Sequence, residues 1–167
     1  MYTMPIARVG DDRIIYEKEL TISNTAYTSG DNIGELMEIS NATNNADDNG
    51  VIETIEIIEY CSSGSLQKTA TNIYFQKTTF ASGNDNAAFN LVKPTTITDA
   101  IGITGLAATD YTDIILSDGS LTIGRKAVNV PFVNATDTTL YARLIAAATP
   151  TYSSAHKVFV RLYIKRN

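Results

Sequence analysis

A single cysteine, Cys61, and a single histidine, His156, set the first limits on this sequence. One thiol forms no intrachain disulfide and builds no cysteine cage for zinc. One imidazole excludes a metal site made of several histidines and leaves little room for a catalytic triad. Tryptophan is absent, and charged residues make up only 19% of the chain. No stretch approaches the roughly 18 consecutive apolar residues that cross a bilayer. The opening residues, MYTMPIARVGDDR, hold no apolar run of signal-peptide length, because Pro5 and Arg8 interrupt it. The formal net charge is −5, whereas a generic nucleic-acid binder is basic. The expectation is a chain made in a cytoplasm, with no membrane and no nucleic-acid partner, and with most common enzyme chemistries excluded.

What is present favours β structure. The 167 residues are 44% hydrophobic, enough for one domain with its own core. Thr, Asn, Ser, Ile, Val and Tyr dominate. β-Branched and aromatic residues fit a pleated, half-buried surface. Short runs of them, divided by Gly, Asn, Asp and Ser clusters, predict an all-β, antiparallel sandwich or barrel. From His156 to Lys165, Val158, Val160, Leu162 and Ile164 share one face in strict alternation. From Val51 to Tyr60, Ile55 and Ile57 oppose Glu56, Ile58 and Tyr60. Apolar residues on both faces predict a central strand that something covers. Asn72–Thr78, Arg13–Ile22, Leu36–Ile39, Ile114–Leu116, Leu121–Ile123 and Val128–Val133 are further candidates.

Two segments admit helix. Thr139–Ala147 places Leu140 and Leu144 at helical spacing, yet alternates as a strand, and its neighbours favour strand. Thr95–Ala100 fits one helical turn. Asp31-Asn32, Asn49-Gly50, Ser63-Gly64, Gly83-Asn84 and Asp118-Gly119 read as turns. Residues 1–60 carry 12 acidic and 3 basic side chains, and residues 61–167 carry 6 and 10. That asymmetry implies either solvated strand faces or complementary surfaces for assembly, unless the two halves lie side by side.

Few constellations carry chemistry. Asn45–Glu56 follows the twelve-residue calcium-loop pattern, with oxygen donors at positions 1, 3 and 5, Gly50 at 6 and Glu56 at 12. Asn45 stands where the pattern wants Asp, and the flanks read as strands rather than helices. The better reading is a polar turn feeding a strand. Asp99, Asp110, Asp113 and Asp118 match no motif. His156 lies beside Ser153 and Ser154, but no G-x-S-x-G elbow is present, so a surface or edge histidine is expected. Cys61 reads as a buried structural thiol. Gly124-Arg125-Lys126 reads as a short basic turn. No catalytic, cofactor-binding or metal-binding residue is assigned. A carbohydrate-binding module would need exposed aromatics on one sheet face.

Six stretches, in order, resemble a known family. They are Ala26–Gly34 (AYTSGDNIG), Gly50–Ile52, Asn84–Phe89 (NDNAAF), Ile101–Ile103, Thr139–Ala142 and Pro150–Ala155 (PTYSSA). Together the chain resembles the decoration, or cement, proteins of tailed-bacteriophage heads. The resemblance implies a jelly-roll-like β-sandwich, often a homotrimer, on the capsid exterior of the virion. Such proteins clamp neighbouring subunits of the major capsid protein and have no catalytic residues. Residues 1–20 stand outside the resemblance, and residues 1–10 are expected to form an extended N-terminal arm. The alternatives are a head-fibre base, a tail or receptor-contact part, or a carbohydrate-binding sandwich.

Overall fold

The structure, a computed structural model, describes residues 7–8, 12–91, 97–134 and 137–167. Among the described residues ten strands form in chain order: β1 (Ala7–Arg8), β2 (Arg13–Leu20), β3 (Asn32–Ile39), β4 (Asn49–Cys61) and β5 (Thr71–Gln76). Then come β6 (Ala100–Leu106), β7 (Tyr111–Leu116), β8 (Gly119–Val133), β9 (Leu140–Ala146) and β10 (His156–Arg166). One sheet has the order β1-β2-β10-β4-β8-β7 and the other β3-β9-β5-β6.

The pairings are nested. β2 pairs with β10, β3 with β9, β4 with β8 and β5 with β6, all antiparallel. That is one long hairpin. β10 also pairs with β4, and β9 with β5, which rolls the hairpin into two facing sheets. Eight strands joined in this way make a jelly roll. β1 and β7 extend the edges of the larger sheet.

Alternation drives the packing. Val158, Val160, Leu162 and Ile164 of β10 are all buried, as predicted. They meet Ile73 and Phe75 of β5 and Leu140, Ala142 and Leu144 of β9 in one core. Thr139–Ala147 resolves as strand, because β9 bonds to β3 on one side and β5 on the other. β4 is central, as its two apolar faces imply.

Several expectations change. Leu121–Ile123 and Val128–Val133 belong to the single strand β8. Gly124-Arg125-Lys126 continues that strand instead of turning. Gly124 is needed there because a Cβ would lie 2.7 Å from both Leu106 and the Tyr111 ring. Asn49-Gly50 opens β4 rather than making a turn, and a Cβ on Gly50 would meet the Phe132 ring at 2.6 Å. Asn32 likewise opens β3, just after a turn at Thr28–Asp31 with Gly30 at φ 98°. β6 was not among the candidate strands. The helical turn is a 3-10 turn at Ile97–Asp99, and residues 95–96 lie outside the described residues. The expected arm lies outside the described residues except for Ala7 and Arg8. These two pair with Ile15 and Ile14 of the same chain.

Candidate functional site

The residues singled out by chemistry do not converge. In the calcium-like stretch, Asn45 to Asp48 closes on itself, with the Asn45 N–H donating to Asp48 Oδ2 at 2.9 Å. Glu56 lies well inside β4, on extended backbone. Its carboxylate meets Arg161 Nη1 at 3.0 Å and Arg125 Nε at 3.4 Å. The strand thus gives Glu56 to the sheet surface. Among the described residues no three acidic, histidine or cysteine side chains group to hold a metal. The four later aspartates serve separate local contacts. Asp99 accepts from Thr78 Oγ1, Asp110 from the Ala107 N–H, and Asp113 pairs with Lys68. Asp118 sits in the β7–β8 turn, where its carbonyl accepts from the Tyr60 hydroxyl.

His156 is buried rather than at the surface. It opens β10 opposite Cys61, beneath the 62–70 loop, so burial follows from register. The Ser153 N–H donates to Nδ1 at 3.1 Å. A backbone N–H can only donate, so the neutral ring carries its proton on Nε2. Nε2 faces the Ser65 carbonyl at 3.1 Å and Glu59 Oε1 at 3.6 Å. Ser153 Oγ also lies 3.0 Å from Nδ1. A general base needs that lone pair for the hydroxyl, but the Ser153 amide already holds it. The cluster works as a turn clasp. Glu59 accepts the N–H groups of Gln67 and Lys68, and burial raises its carboxyl above the usual range, partly opposed by those bonds. Cys61 is a buried thiol, as expected, with Sγ 3.1 Å from the Ser63 carbonyl.

Three of the six stretches that carry the family resemblance, Ala26–Gly34, Asn84–Phe89 and Pro150–Ala155, do converge, as a structural clasp. Asp85 accepts from the Ser23 N–H at 2.7 Å, the Ser23 hydroxyl, the Tyr27 hydroxyl at 2.8 Å and the Gly34 N–H at 2.6 Å. Asn32 N–H donates to the Ala87 carbonyl, and Phe89 N–H to that of Gly30. Tyr27 N–H donates to the Pro150 carbonyl, and its ring stacks edge-on against Tyr152. These contacts fasten residues 77–91 over β5 and β9 on the outer face of the smaller sheet, while Ile103 of β6 on that face stays exposed. Phe80 and Phe89 pack on Tyr74, and Arg143 donates to the Gly83 carbonyl at 3.0 Å. That cover buries the outward-facing Tyr74, Gln76, Arg143 and Ile145. Asp85 is the key residue that sequence reasoning missed, although it lies in one of the quoted stretches.

Among the described residues the outer face of the larger sheet has no such cover. Cross-strand register places Glu17, Arg161, Glu56 and Arg125 in one row over β2, β10, β4 and β8. Signs alternate along it, and Arg161 bridges Glu17 and Glu56. The Arg125 guanidinium lies 5.3 Å from the Tyr163 ring centre, and the Tyr163 hydroxyl donates to Glu56. Glu17 and Glu56 of the acidic first part of the chain thus pair with Arg161 and Arg125 of the basic second part, as Glu19 does with Lys157. Beside this row the face turns apolar. Phe159, Ile58 and Ile123 form the next row, and Tyr60, Leu121 and Ile114 the one after. The first five of these are half-buried, and Ile114 is exposed. Among the described residues no hydrogen bond or ring contact brings a further segment onto this apolar end. It is the candidate functional surface. The apolar pattern at Ile58 and Tyr60 implied a covered face, and among the described residues that cover is not found.

No protein-family model matches the chain, and no curated protein matches it. Among solved structures, it is similar to a chain of infectious bursal disease virus, Gx strain (TM-score 0.35, 11% identity, 93% of this chain). It spans 32% of that viral chain. It is also similar to a chain from the acidic stable capsid of Helicobacter pylori bacteriophage KHP30 (TM-score 0.33, 7% identity, 94% of this chain and 90% of that one). A third similarity is to Desmodium yellow mottle tymovirus (TM-score 0.28, 14% identity, 98% and 93%). Likenesses at these scores carry no weight. The jelly roll rests on strand order alone.

Proposed function

We propose that this chain is a non-enzymatic virion protein that binds the outer surface of a phage capsid and clamps neighbouring major capsid subunits. One observation carries the reading. The chain's own 77–91 segment roofs the β9–β5 part of the smaller sheet and leaves Ile103 of β6 exposed, while among the described residues the larger sheet leaves an apolar end open next to a neutralised ionic row. A clamp needs a rigid body and a broad contact area rather than a pocket. Aromatic and aliphatic anchors supply interface energy, and rim charges set register and encounter. Phe159, Ile58, Ile123 and Leu121 are the anchors, and the Glu17–Arg161–Glu56–Arg125 row is the rim. The protein is made in the host cytoplasm and ends on the capsid exterior, where its partners are the major capsid protein and further copies of itself.

Co-sedimentation tests this. Expanded shells of a cognate phage major capsid protein are mixed with the wild type or Ile58→Glu. The wild type is expected to pellet with shells to saturation. Ile58→Glu is expected to bind at least tenfold more weakly while keeping its circular dichroism spectrum. Equal binding by the variant, or none by the wild type, contradicts the proposal.

A further inference from the structure

β7 is the outermost strand of the larger sheet, and among the described residues its far side pairs with nothing. The tight turn at Ser117-Asp118 sets Leu116 opposite Gly119. In a two-residue hairpin the flanking pair is hydrogen-bonded, and bonding alternates from there. Leu116, Ile114 and Thr112 therefore bond to β8. Asp113 and Ile115 turn their N–H and C=O groups outward. Protein edges of this kind are usually blunted by charge, proline or a bulge. Here Asp113, tied to Lys68, guards one end only. The other end is Ile114, Ile115 and Leu116, exposed at 43%, 92% and 36%. The opposite edge of the same sheet is treated differently, with Ala7–Arg8 laid along β2.

We infer that β7 pairs, antiparallel and about a two-fold axis, with β7 of a second copy. Two features select that occupant over a foreign strand. First, the edge is apolar on both faces, with Ile115 on one and Ile114 and Leu116 on the other. A strand with the ordinary alternating pattern matches only one face. β7 matches both. Second, one register satisfies every position. With the axis at Ile115, that residue meets its own copy, and Ile114 meets Leu116 of the second copy in both directions. The outward backbone groups then coincide. Asp113 falls opposite Ser117, so no like charges oppose each other. Moving the axis to Asp113 sets acid against acid, and moving it to Ile114 sets Asp113 against Ile115. The charge pattern and the apolar pattern choose the same register.

A two-fold contact is isologous, so each side supplies the same patch. The two larger sheets become one continuous sheet, and their open apolar ends become neighbours. This goes beyond the capsid reading and does not depend on it. The threefold association implied by the family resemblance uses a different surface if it occurs.

Sedimentation equilibrium of the full chain over a concentration series tests the pairing, with Ile115→Lys and Ile115→Pro beside the wild type. Ile115→Lys places two lysines face to face on the axis. Ile115→Pro removes an outward N–H without touching the bonds to β8. The wild type is expected to show a concentration-dependent dimer. Both variants are expected to dissociate at least tenfold more readily, with unchanged circular dichroism spectra. A wild type that stays monomeric at every concentration overturns the inference. So does any oligomer that persists unchanged in both variants. A monomeric wild type whose binding to shells is lost in Ile115→Lys also overturns it and assigns the edge to a strand of the shell.

Discussion

Replacing Asp85 by alanine removes the pin that holds the 77–91 segment over the smaller sheet. Its carboxylate accepts from four donors: the Ser23 N–H and hydroxyl, the Tyr27 hydroxyl and the Gly34 N–H. A hydrogen bond to a charged group contributes about 1.5–3 kcal/mol when buried. This site is half-buried, and water replaces part of what is lost, so about 1 kcal/mol for each donor is the fairer figure. The expected loss is about 3–4 kcal/mol, or a fall in Tm of roughly 6–15 °C for a chain of this size. Asp85→Asn keeps one acceptor oxygen and turns an NH₂ group toward the same donors, so it is expected to lose about half as much. Urea unfolding followed by fluorescence and by far-UV circular dichroism measures both variants. The reading also predicts earlier proteolysis within 77–91, because Phe80, Phe89 and Gly83 then lose their hold on Tyr74 and Arg143. A loss below about 1 kcal/mol with unchanged proteolysis would refute the reasoning, since four such donors cannot be orphaned at that cost.

Gly105→Ala places a Cβ 2.0 Å from the Thr71 carbonyl oxygen, across the β5–β6 pair. Backbone must move, and the expected destabilisation is about 2–3 kcal/mol by urea unfolding; a neutral result contradicts the register of β6. Burial raises the hydroxyls of Tyr16, Tyr111 and Tyr152 above the ordinary 10.0. A raised value means the folded state holds the proton more tightly, so this stability is intact below pH 10 and is lost as pH rises above it. Ultraviolet titration is expected to show these tyrosinates appearing only with unfolding; their appearance in a chain that is still folded contradicts the packing.

Much of the fold was legible because alternation is a local signal. β10 could be read from its side chains, whereas β9 read equally as helix and was settled by its neighbours. The two apolar faces of β4 announced its central place, but the cover they also implied over Ile58 and Tyr60 is not found among the described residues. β8 was broken in the reading by Gly124-Arg125-Lys126. Those residues look like a turn until the Leu106 and Tyr111 side chains that need the missing Cβ are in place. β6 was hidden for the same reason, since Gly102 and Gly105 dilute its pattern. Asp85 was invisible as a pin because its partners lie 51 to 62 residues away. His156 was misplaced because burial at the start of a strand depends on the loop above it, which no periodicity reports.

The central claim is that the open face of the larger sheet is the face that meets the shell. A cryo-electron microscopy map of shells decorated with this protein tests it most directly. The account predicts density that fits the jelly roll with Phe159, Ile58, Ile123 and Leu121 against neighbouring capsid subunits and the 77–91 segment turned to solvent. A map with the 77–91 segment against the shell and the larger sheet facing outward would contradict it.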